Sequence, residues 1–291
     1  SISLPPLTYP DTPYLTLPAP EQSAREVIDA MLAAAAWTVQ DIKELNLSAS
    51  RGLAVREMQS FGGPADYILF VDGKALGIVE AKKVGTTLSA VAEQSARYTA
   101  AKKWIPQRWA DPLPFTYETT GVETNFRDQR DPDSRSRPVF AFHRPEHLVE
   151  LVQQPSASPA RATLRARLRH FPELNTAPLR DCQIDAITGL ETSLGDNRPR
   201  ALLQMATGSG KTYTAVTQAY RLIKHAGAKR ILFLVDRGNL GRQTVREFQN
   251  FTTPDDGRSF TDLYNVRMLG PAGIDPVCSV TVSTIQRLYA Q

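Results

Sequence analysis

The chain has 291 residues, of which 42% are apolar and 22% are charged, and its net charge is +4. These values are ordinary for a soluble globular protein of about two domains. The two cysteines, Cys182 and Cys278, exclude a disulfide scaffold and a cysteine-ligated zinc site. No apolar run approaches the roughly 18 residues of a membrane span, so we expect no membrane association, and the low cysteine content favours a reducing, cytosolic setting.

The first half of the chain predicts a compact α/β domain over residues 1–152. It opens with an extended arm, because six prolines fall within residues 1–20. Apolar residues at helical spacing predict a helix from Glu21 to about Ala36. Asp72-Gly73 is a strong two-residue hairpin signal. Further elements are expected as strands over Leu53–Met58, Tyr67–Val71, Ala75–Ala81 and Pro138–Phe142, and as a helix over roughly Thr87–Lys103.

A linker is expected over residues 153–178, because Gln154–Pro159 is rich in proline and serine. From there to residue 291 the pattern alternates helix and strand, which predicts a parallel sheet with crossover helices. The expected strands are Ala201–Met205, Arg230–Val235 and Val277–Val282, with a helix over Thr212–Ala226. The chain lacks an initiator Met and stops after a strand-like run, so we expect a fragment of a longer protein.

Three charged residues mark the predicted hairpin. Asp66 begins one strand, and Glu80 and Lys82 share a face of its partner because side chains alternate along a strand. Two carboxylates at close range repel each other, and a divalent cation such as Mg²⁺ relieves that repulsion. Such a site could cleave a phosphodiester, with Lys82 neutralising the developing charge. The alternative is a surface hairpin whose Glu80 and Lys82 merely face solvent.

The helix expected after this hairpin carries Gln94 and Tyr98, which are spaced i,i+4 and therefore share one helix face. Each side chain could reach a phosphate or the attacking water. His143 and His147 have the same spacing, but no third ligand lies nearby, and packing is the better interpretation for them.

A second constellation follows the expected strand Ala201–Met205. Its glycines allow backbone N–H groups to approach phosphates closely, and a helix N-terminus adds its dipole. The expected cradle consists of Thr207, Gly208, Ser209 and Gly210. Lys211 would reach the β- and γ-phosphates of ATP, and the Thr212 hydroxyl would ligate its Mg²⁺. The strict P-loop pattern requires glycine where Met205 stands. The alternative is a chance glycine-rich turn.

Both constellations resemble those of the motor and endonuclease (R) subunit of type I restriction enzymes. The matching runs are Gly63–Tyr67, Glu80–Lys83, Gln94–Tyr98, Thr120–Thr124 and Phe142–Glu146. The resemblance implies a PD-(D/E)xK restriction-endonuclease-like domain followed by an incomplete RecA-like domain. It further implies metal roles for Asp66 and Glu80, a catalytic role for Lys82, and supporting roles for Gln94 and Tyr98. Glu26, rather than Glu21, is the candidate for a further metal ligand on the first helix, with a solvated helix face as the alternative.

In the second domain, Arg180 and Gln183 resemble a motif in which the Gln183 amide reads adenine. A glutamine on a helix surface is the alternative. The runs Phe233–Arg237 and Val282–Leu288 resemble helicase segments that contact the DNA backbone. The family also tolerates methionine at the start of the P-loop, as at Met205.

The resemblance implies Mg²⁺-dependent cleavage of double-stranded DNA coupled to ATP-driven translocation, with methyltransferase (M) and specificity (S) subunits as partners. No Asp-Glu-x-His segment occurs after the P-loop, so the isolated chain is not expected to be a competent ATPase. One rival is a repair or phage-defence helicase-nuclease without methyltransferase partners. Another is a DNA-binding or assembly module with an inactive nuclease. A small-molecule P-loop kinase is disfavoured, because it leaves residues 1–150 unexplained.

Overall fold

The computed structural model describes residues 20–60, 63–82, 85, 107–154 and 162–290. Contacts divide the chain into two compact units, with a division between Gln153 and Gln154. The short stretch Arg130–Ser134 groups with the second unit. No helix in the described ranges is long and apolar enough to cross a membrane.

The first unit is built on a seven-stranded sheet in which the strands follow one another in chain order. The pairs β1–β2 and β4–β5 are parallel, and the other neighbouring pairs are antiparallel. Its strands are β1 (Thr38–Asp41), β2 (Gly52–Ser60), β3 (Gly63–Val71), β4 (Lys74–Ala81), β5 (Phe115–Thr119), β6 (Thr124–Asp128) and β7 (Arg137–Val139).

The predicted hairpin between β3 and β4 is confirmed. Asp72 and Gly73 form its turn, and both have positive φ angles, of 49° and 72°. A two-residue turn with two positive φ angles matches the right-handed twist of its strands, and glycine adopts such a φ without steric cost. The turn pairs Val71 with Lys74, and the register then shifts by one residue between Leu69 and Phe70, so that Tyr67 pairs with Val79. The hairpin therefore determines which residues face each other at its open end.

Two helices, α1 (Pro20–Ala34) and α2 (Pro145–Gln153), pack on one face of this sheet. Ile28 of α1 and Leu148 of α2 are fully buried in the same core as Val79. A short 3₁₀ turn, Ile42–Glu44, follows β1. The opposite face carries a second core that includes Ile68 and Ile78. Because side chains alternate along a strand, Asp66 and Glu80 point to this second face.

The second unit has a three-stranded parallel sheet in the order β8–β10–β9. Val216 and Tyr220 pack with Phe248 and Val282 in its core. The molecule is thus mixed α/β. This sheet is parallel, as the alternation of helices and strands in the sequence predicted, because parallel strands need crossover connections. The strands are β8 (Ile231–Val235), β9 (Val266–Met268) and β10 (Val280–Thr284), and the helices are α3 (Leu164–Arg167), α4 (Asp181–Gly195), α5 (Lys211–Lys224), α6 (Gly238–Asn250), α7 (Phe260–Leu263) and α8 (Ile285–Tyr289).

The strand predicted over Ala201–Met205 is wrong for this structure, in which residues 201–206 have no regular secondary structure. A strand needs a neighbour for its backbone N–H and C=O groups. Within the described residues, β8 pairs only with β10, and Leu232 and Leu234 of β8 remain exposed. Leu202 is 92% exposed. The run Ala201–Met205 therefore forms no backbone ladder with any described strand.

Other predicted elements are present with shifted ends. The strand that carries Asp66 begins at Gly63, three residues before Asp66, so that this residue lies within β3 rather than at its start. The strand predicted to begin at Val277 begins at Val280. The strand predicted over Pro138–Phe142 is shorter and ends at Val139. The predicted helix Thr87–Lys103 and most of the proline-rich arm lie outside the described residues.

Candidate functional site

The open end of the β3–β4 hairpin brings Asp66, Glu80 and Lys82 together. Oδ2 of Asp66 accepts a hydrogen bond of 2.7 Å from the backbone N–H of Ala81, which lies between the other two residues. Nζ of Lys82 lies 2.9 Å from Oε2 of Glu80. The backbone N–H of Lys82 donates to the carbonyl oxygen of Thr119, which ties the end of β4 to β5. Sequence spacing and hairpin register thus converge on one cluster.

Glu80 is the most buried member of this cluster, with 3% of its surface exposed. Among the described residues, its Oε1 atom has no hydrogen-bond partner, and its Oε2 atom contacts only Nζ of Lys82. A buried carboxylate oxygen without a partner is costly, because desolvation is not offset by a hydrogen bond. A bound cation would remove that cost.

Asp66 is also desolvated, and its burial raises the pKa of its carboxyl above the ordinary value. The N–H of Ala81 and the positive charges of Lys82 and Arg25 lower the pKa in part, while the charge of Glu57 raises it. The site therefore favours a positive charge near Asp66 beyond those that the described side chains already supply.

The residues present fit Mg²⁺, which binds hard oxygen ligands and usually keeps several waters. Asp66 and Glu80 supply carboxylate oxygens, and Glu80 has one that is unpartnered. Within the described ranges, no group of three or more His, Cys, Asp or Glu residues is close enough together to hold an ion. Two carboxylates with water and substrate oxygens would complete the shell, as Mg²⁺ commonly requires.

The remaining residues predicted for this site are not brought to the cluster by the described contacts. Glu26 is exposed on α1, and the described part of the chain gives it no hydrogen bond or ion pair. Its neighbour Arg25 instead pairs with Glu57 at 2.6 Å. The side chain of Glu21, and all of Gln94 and Tyr98, lie outside the described residues.

One acidic residue near the cluster was missed by the sequence analysis. Glu118 of β5 is the register partner of Glu80, and it is 2% exposed. The signal was present in the alternation of Phe115 and Tyr117 with Thr116 and Glu118, which is typical of a strand. That strand was not predicted, so the position of its charge went unnoticed.

The glycine-rich loop of the second unit leads directly into α5. Gly210 precedes the first residue of that helix, and its φ angle is 83°. A Cβ atom at Gly210 would lie 2.3 Å from Nε2 of Gln183, so a larger residue would displace this buried amide. Gly208 also has a positive φ angle, of 80°. This geometry is suited to the close approach of phosphate oxygens to backbone N–H groups.

Arg180 and Gln183, at the N-terminus of α4, donate hydrogen bonds to the glycine-rich loop. The Gln183 amide donates to the carbonyl oxygens of Ser209 at 3.2 Å and Gly210 at 3.4 Å, and its Oε1 accepts from the N–H of Arg180 at 2.9 Å. Nη1 of Arg180 donates to the carbonyl oxygen of Gly208 at 2.9 Å. The amide predicted to read adenine is thus occupied by loop backbone in this structure.

Lys211 folds back onto the loop that precedes it. Its Nζ donates to the carbonyl oxygens of Ala206 at 2.9 Å and Met205 at 3.4 Å. The hydroxyl of Ser209 donates to the same Ala206 oxygen at 2.7 Å. Thr207 is exposed in the turn, and Thr212 is half-buried in the first turn of α5. The ammonium group is therefore held by neutral carbonyl oxygens of the segment before the glycine-rich loop.

The two segments predicted to contact DNA meet at the carboxyl ends of β8 and β10. A cleft of about 1010 Å³ opens there, and Asp236, Arg242, Gln286 and Arg287 are among the residues that line it. Because parallel strands end at one edge, residues that follow them lie close together. The cleft carries two guanidinium groups, which suit phosphate oxygens.

Two family models match the chain. The model described as the second domain of the type I restriction enzyme EcoKI endonuclease subunit matches residues 40–152. The model described as the res subunit of type III restriction enzymes matches residues 176–291. The first match contains the Asp66 cluster, and the second contains the glycine-rich loop.

Individual relatives agree with these matches. The EcoKI endonuclease subunit of Escherichia coli K12 is 29% identical over 324 residues, which cover 94% of this chain and 27% of that subunit. The EcoAI endonuclease subunit of Escherichia coli is 41% identical over 90 residues, or 30% of this chain and 11% of that subunit. The chain thus spans about a quarter of the EcoKI subunit.

A solved fragment of an HsdR subunit of a type I restriction enzyme from Vibrio vulnificus aligns with 94% of this chain and 48% of its own. Its sequence identity is 15% and its TM-score is 0.31, which is below the level at which two folds are taken as alike. The relationship is therefore carried by the sequences and not by this superposition.

Proposed function

We propose that this chain is part of a type I restriction enzyme endonuclease subunit, and that its first unit cleaves double-stranded DNA with Mg²⁺ held by Asp66 and Glu80. The observation that carries this proposal is the unpartnered Oε1 atom of the buried Glu80, beside a desolvated Asp66. A hairpin that merely faces solvent would leave such a carboxylate hydrated. The rival surface-hairpin interpretation is therefore disfavoured.

Each side chain of the cluster has a chemical task in this proposal. Mg²⁺ held by Asp66 and Glu80 would supply an activated water and stabilise negative charge on the phosphate. The N–H of Ala81 donates to Oδ2 of Asp66 and orients the carboxylate, so that Oδ1 can serve as a metal ligand. Lys82 balances the charge of Glu80 in the free protein. With substrate present, its ammonium neutralises charge that develops on the phosphate.

The finer assignments of the family extend this proposal. The first unit would have the PD-(D/E)xK restriction-endonuclease-like fold, which is supported by a mixed sheet with Asp66 and Glu80 on adjacent antiparallel strands. Gln94 and Tyr98 would take supporting, DNA-facing roles. Glu26 is the weakest assignment, because it is exposed and its neighbour Arg25 is the residue whose charge acts on Asp66.

The second unit would bind ATP through Thr207–Thr212. A triphosphate bound over the loop would attract the Lys211 ammonium away from the carbonyl oxygens of Ala206 and Met205, because phosphate oxygens carry full charge and carbonyls do not. The Thr212 hydroxyl would ligate the accompanying Mg²⁺. Gln183 would hold the loop in shape while ATP binds, in addition to any contact with adenine.

The whole protein would couple these two sites. In the family, ATP-driven translocation along double-stranded DNA precedes cleavage, and M and S subunits provide methylation and sequence recognition. The cleft with Arg242 and Arg287 would contact the DNA backbone in the second unit, since guanidinium groups pair with phosphate oxygens and carry no sequence information by that contact.

Calorimetric titration with Mn²⁺, without nucleotide, tests the nuclease site. The variants are Asp66→Asn and Glu80→Gln, and Asp72→Asn is the matched control because it removes one negative charge in the same hairpin, at its closed end. We expect wild type and Asp72→Asn to bind equally, and both site variants to lose most of the affinity. Folded wild type that binds no Mn²⁺ at millimolar concentration would overturn the proposal and favour a DNA-binding or assembly module.

A further inference from the structure

We propose that Glu118 is a positioning residue of the nuclease site, whose negative charge is coupled to cation binding by Asp66 and Glu80. The inference rests on the proposed function and adds a residue that neither of the two motifs contains. It begins from the register of the central strands. Glu80 of β4 and Glu118 of β5 are direct partners in a parallel pair.

Residues paired in this way direct their side chains to the same face of the sheet, and neighbouring strands lie about 4.8 Å apart. The same register, extended one residue beyond Tyr67 and Val79, places Asp66 beside Glu80 on the other side. Asp66, Glu80 and Glu118 therefore form a row across β3, β4 and β5 on one sheet face. No sequence spacing predicts this row, because Glu80 and Glu118 lie 38 positions apart in the chain.

Burial strengthens the electrostatic repulsion among the carboxylates of this row. Glu80 is 3% exposed and Glu118 is 2% exposed. Carboxylates at this separation repel each other more strongly in a desolvated site than in water, because solvent no longer screens them. Lys82 offsets part of this charge through its contact with Glu80, and Glu118 makes an interaction of its own. A divalent cation is the ligand that this arrangement attracts.

An independent observation points to the same ligand. The Glu80 side chain is 4% exposed, and its buried Oε1 atom has no hydrogen-bond partner in the part of the chain that the structure describes. That atom lies in the middle residue of the row. Glu118 is not close enough to complete a three-residue metal cluster with Asp66 and Glu80 in the described structure. Its contribution is therefore to the electrostatic potential at Glu80 and not to the ligand shell.

Mn²⁺ titration of the whole chain by calorimetry tests this assignment. Glu118→Gln removes the charge and keeps the shape and a carbonyl acceptor, whereas Glu118→Asp keeps the charge. We expect Glu118→Gln to weaken Mn²⁺ binding by roughly tenfold, from the loss of one nearby charge, and Glu118→Asp to remain within about threefold of wild type. Asp72→Asn is again the charge-matched control, and its affinity should not change.

Thermal unfolding supplies a readout that separates coupling from a purely structural role. If Glu118 is coupled to the cation, Glu118→Gln should be at least as stable as wild type without metal and should gain less stability from 1 mM Mn²⁺, a concentration chosen to be about saturating for wild type. If Glu118 only supports the strand, the variant should lose stability without metal and bind Mn²⁺ as wild type does. That result would overturn the assignment.

The outcomes also separate this inference from the proposed function. If the wild-type protein binds no Mn²⁺, both the proposed nuclease site and this inference are wrong. If wild type binds Mn²⁺ and Glu118→Gln binds it with equal affinity, only the inference about Glu118 is wrong. If Glu118→Gln does not fold, Glu118→Thr is the second neutral variant, because Thr116 already occupies the same face of β5, and the same loss of affinity is required of it.

Discussion

Nε2 of Gln183 donates to the carbonyl oxygen of Ser209 at 3.2 Å and would lie 2.3 Å from a Cβ atom at Gly210. The first residues of α4 and the loop before α5 are therefore fitted to each other. The positive φ angle at position 210 favours glycine, and a side chain there would also displace the amide of Gln183, which is distant in sequence.

Gly210→Ala should destabilise the second unit and abolish detectable ATP binding. The positive φ angle alone costs a non-glycine residue about 1–2 kcal/mol, and the contact with Gln183 adds to that cost. Binding of a fluorescent ATP analogue and the melting temperature are the measurements. Gly257→Ala is the matched control, because its φ angle is 71° and nothing lies within 4 Å of the added Cβ.

A double-mutant cycle identifies the contact itself. In a Gln183→Ala background the clash is removed, so Gly210→Ala should destabilise less than it does in wild type, and the two effects should not add. Additive effects would mean that the loop is not held against Gln183, contrary to the geometry of these contacts.

His143 should make the first unit less stable in mild acid. Its Nδ1 lies 2.6 Å from the Tyr117 hydroxyl, and burial lowers the pKa of the imidazole to about 4. The unfolded chain, with a histidine pKa near 6.5, therefore binds more protons than the folded chain between about pH 4 and 6.5. The stability that neutral His143 supports is present above that window and is lost as the pH falls through it.

Urea unfolding at pH 7.5 and pH 5.0 measures this loss. After allowance for solvent screening, His143 should account for on the order of 1 kcal/mol of the difference in unfolding free energy between the two pH values. His143→Gln should reduce the difference by that amount. His170→Gln, which changes an exposed histidine, should leave it unchanged. An identical pH dependence in wild type and His143→Gln would contradict the assignment.

Asp29 should be the most sensitive acidic residue of α1. Its carboxylate accepts from the Tyr67 hydroxyl at 2.8 Å and from Nε of Arg56 at 3.3 Å, and it also contacts Nη2 of Arg56. Asp29→Ala leaves a half-buried guanidinium and a buried hydroxyl without this partner. We expect a loss of about 2–4 kcal/mol in unfolding free energy.

Asp41→Ala is the comparison, since the Asp41 side chain is more than half exposed and, among the described residues, contacts Nη1 of Arg56 alone, at 3.2 Å. Exposed ion pairs contribute up to about 1 kcal/mol, so this variant should be only slightly destabilised. Denaturant unfolding of both variants, followed by circular dichroism, gives the two values. Equal losses would mean that the Asp29 network does not hold α1 to the sheet.

Local features of the sequence determined the turn and the two candidate sites. Asp72-Gly73 specifies its hairpin because few dipeptides accept two positive φ angles, and the hairpin, with a one-residue register shift between Leu69 and Phe70, then brings Asp66 near Glu80. The P-loop glycines and Lys211 are equally local, since their spacing alone suits a phosphate. These features could be predicted because each depends on residues close together in the chain.

Tertiary structure decided what depends on strands that are distant in sequence. The register that sets Glu118 beside Glu80, the amide of Gln183 that braces Gly210, and the lack of a ladder for Ala201–Met205 each involve a partner from another element. Apolar periodicity states that a segment can form a strand. It does not state which neighbour will supply the hydrogen bonds, and that pairing determines both the strand and the charges that meet across it.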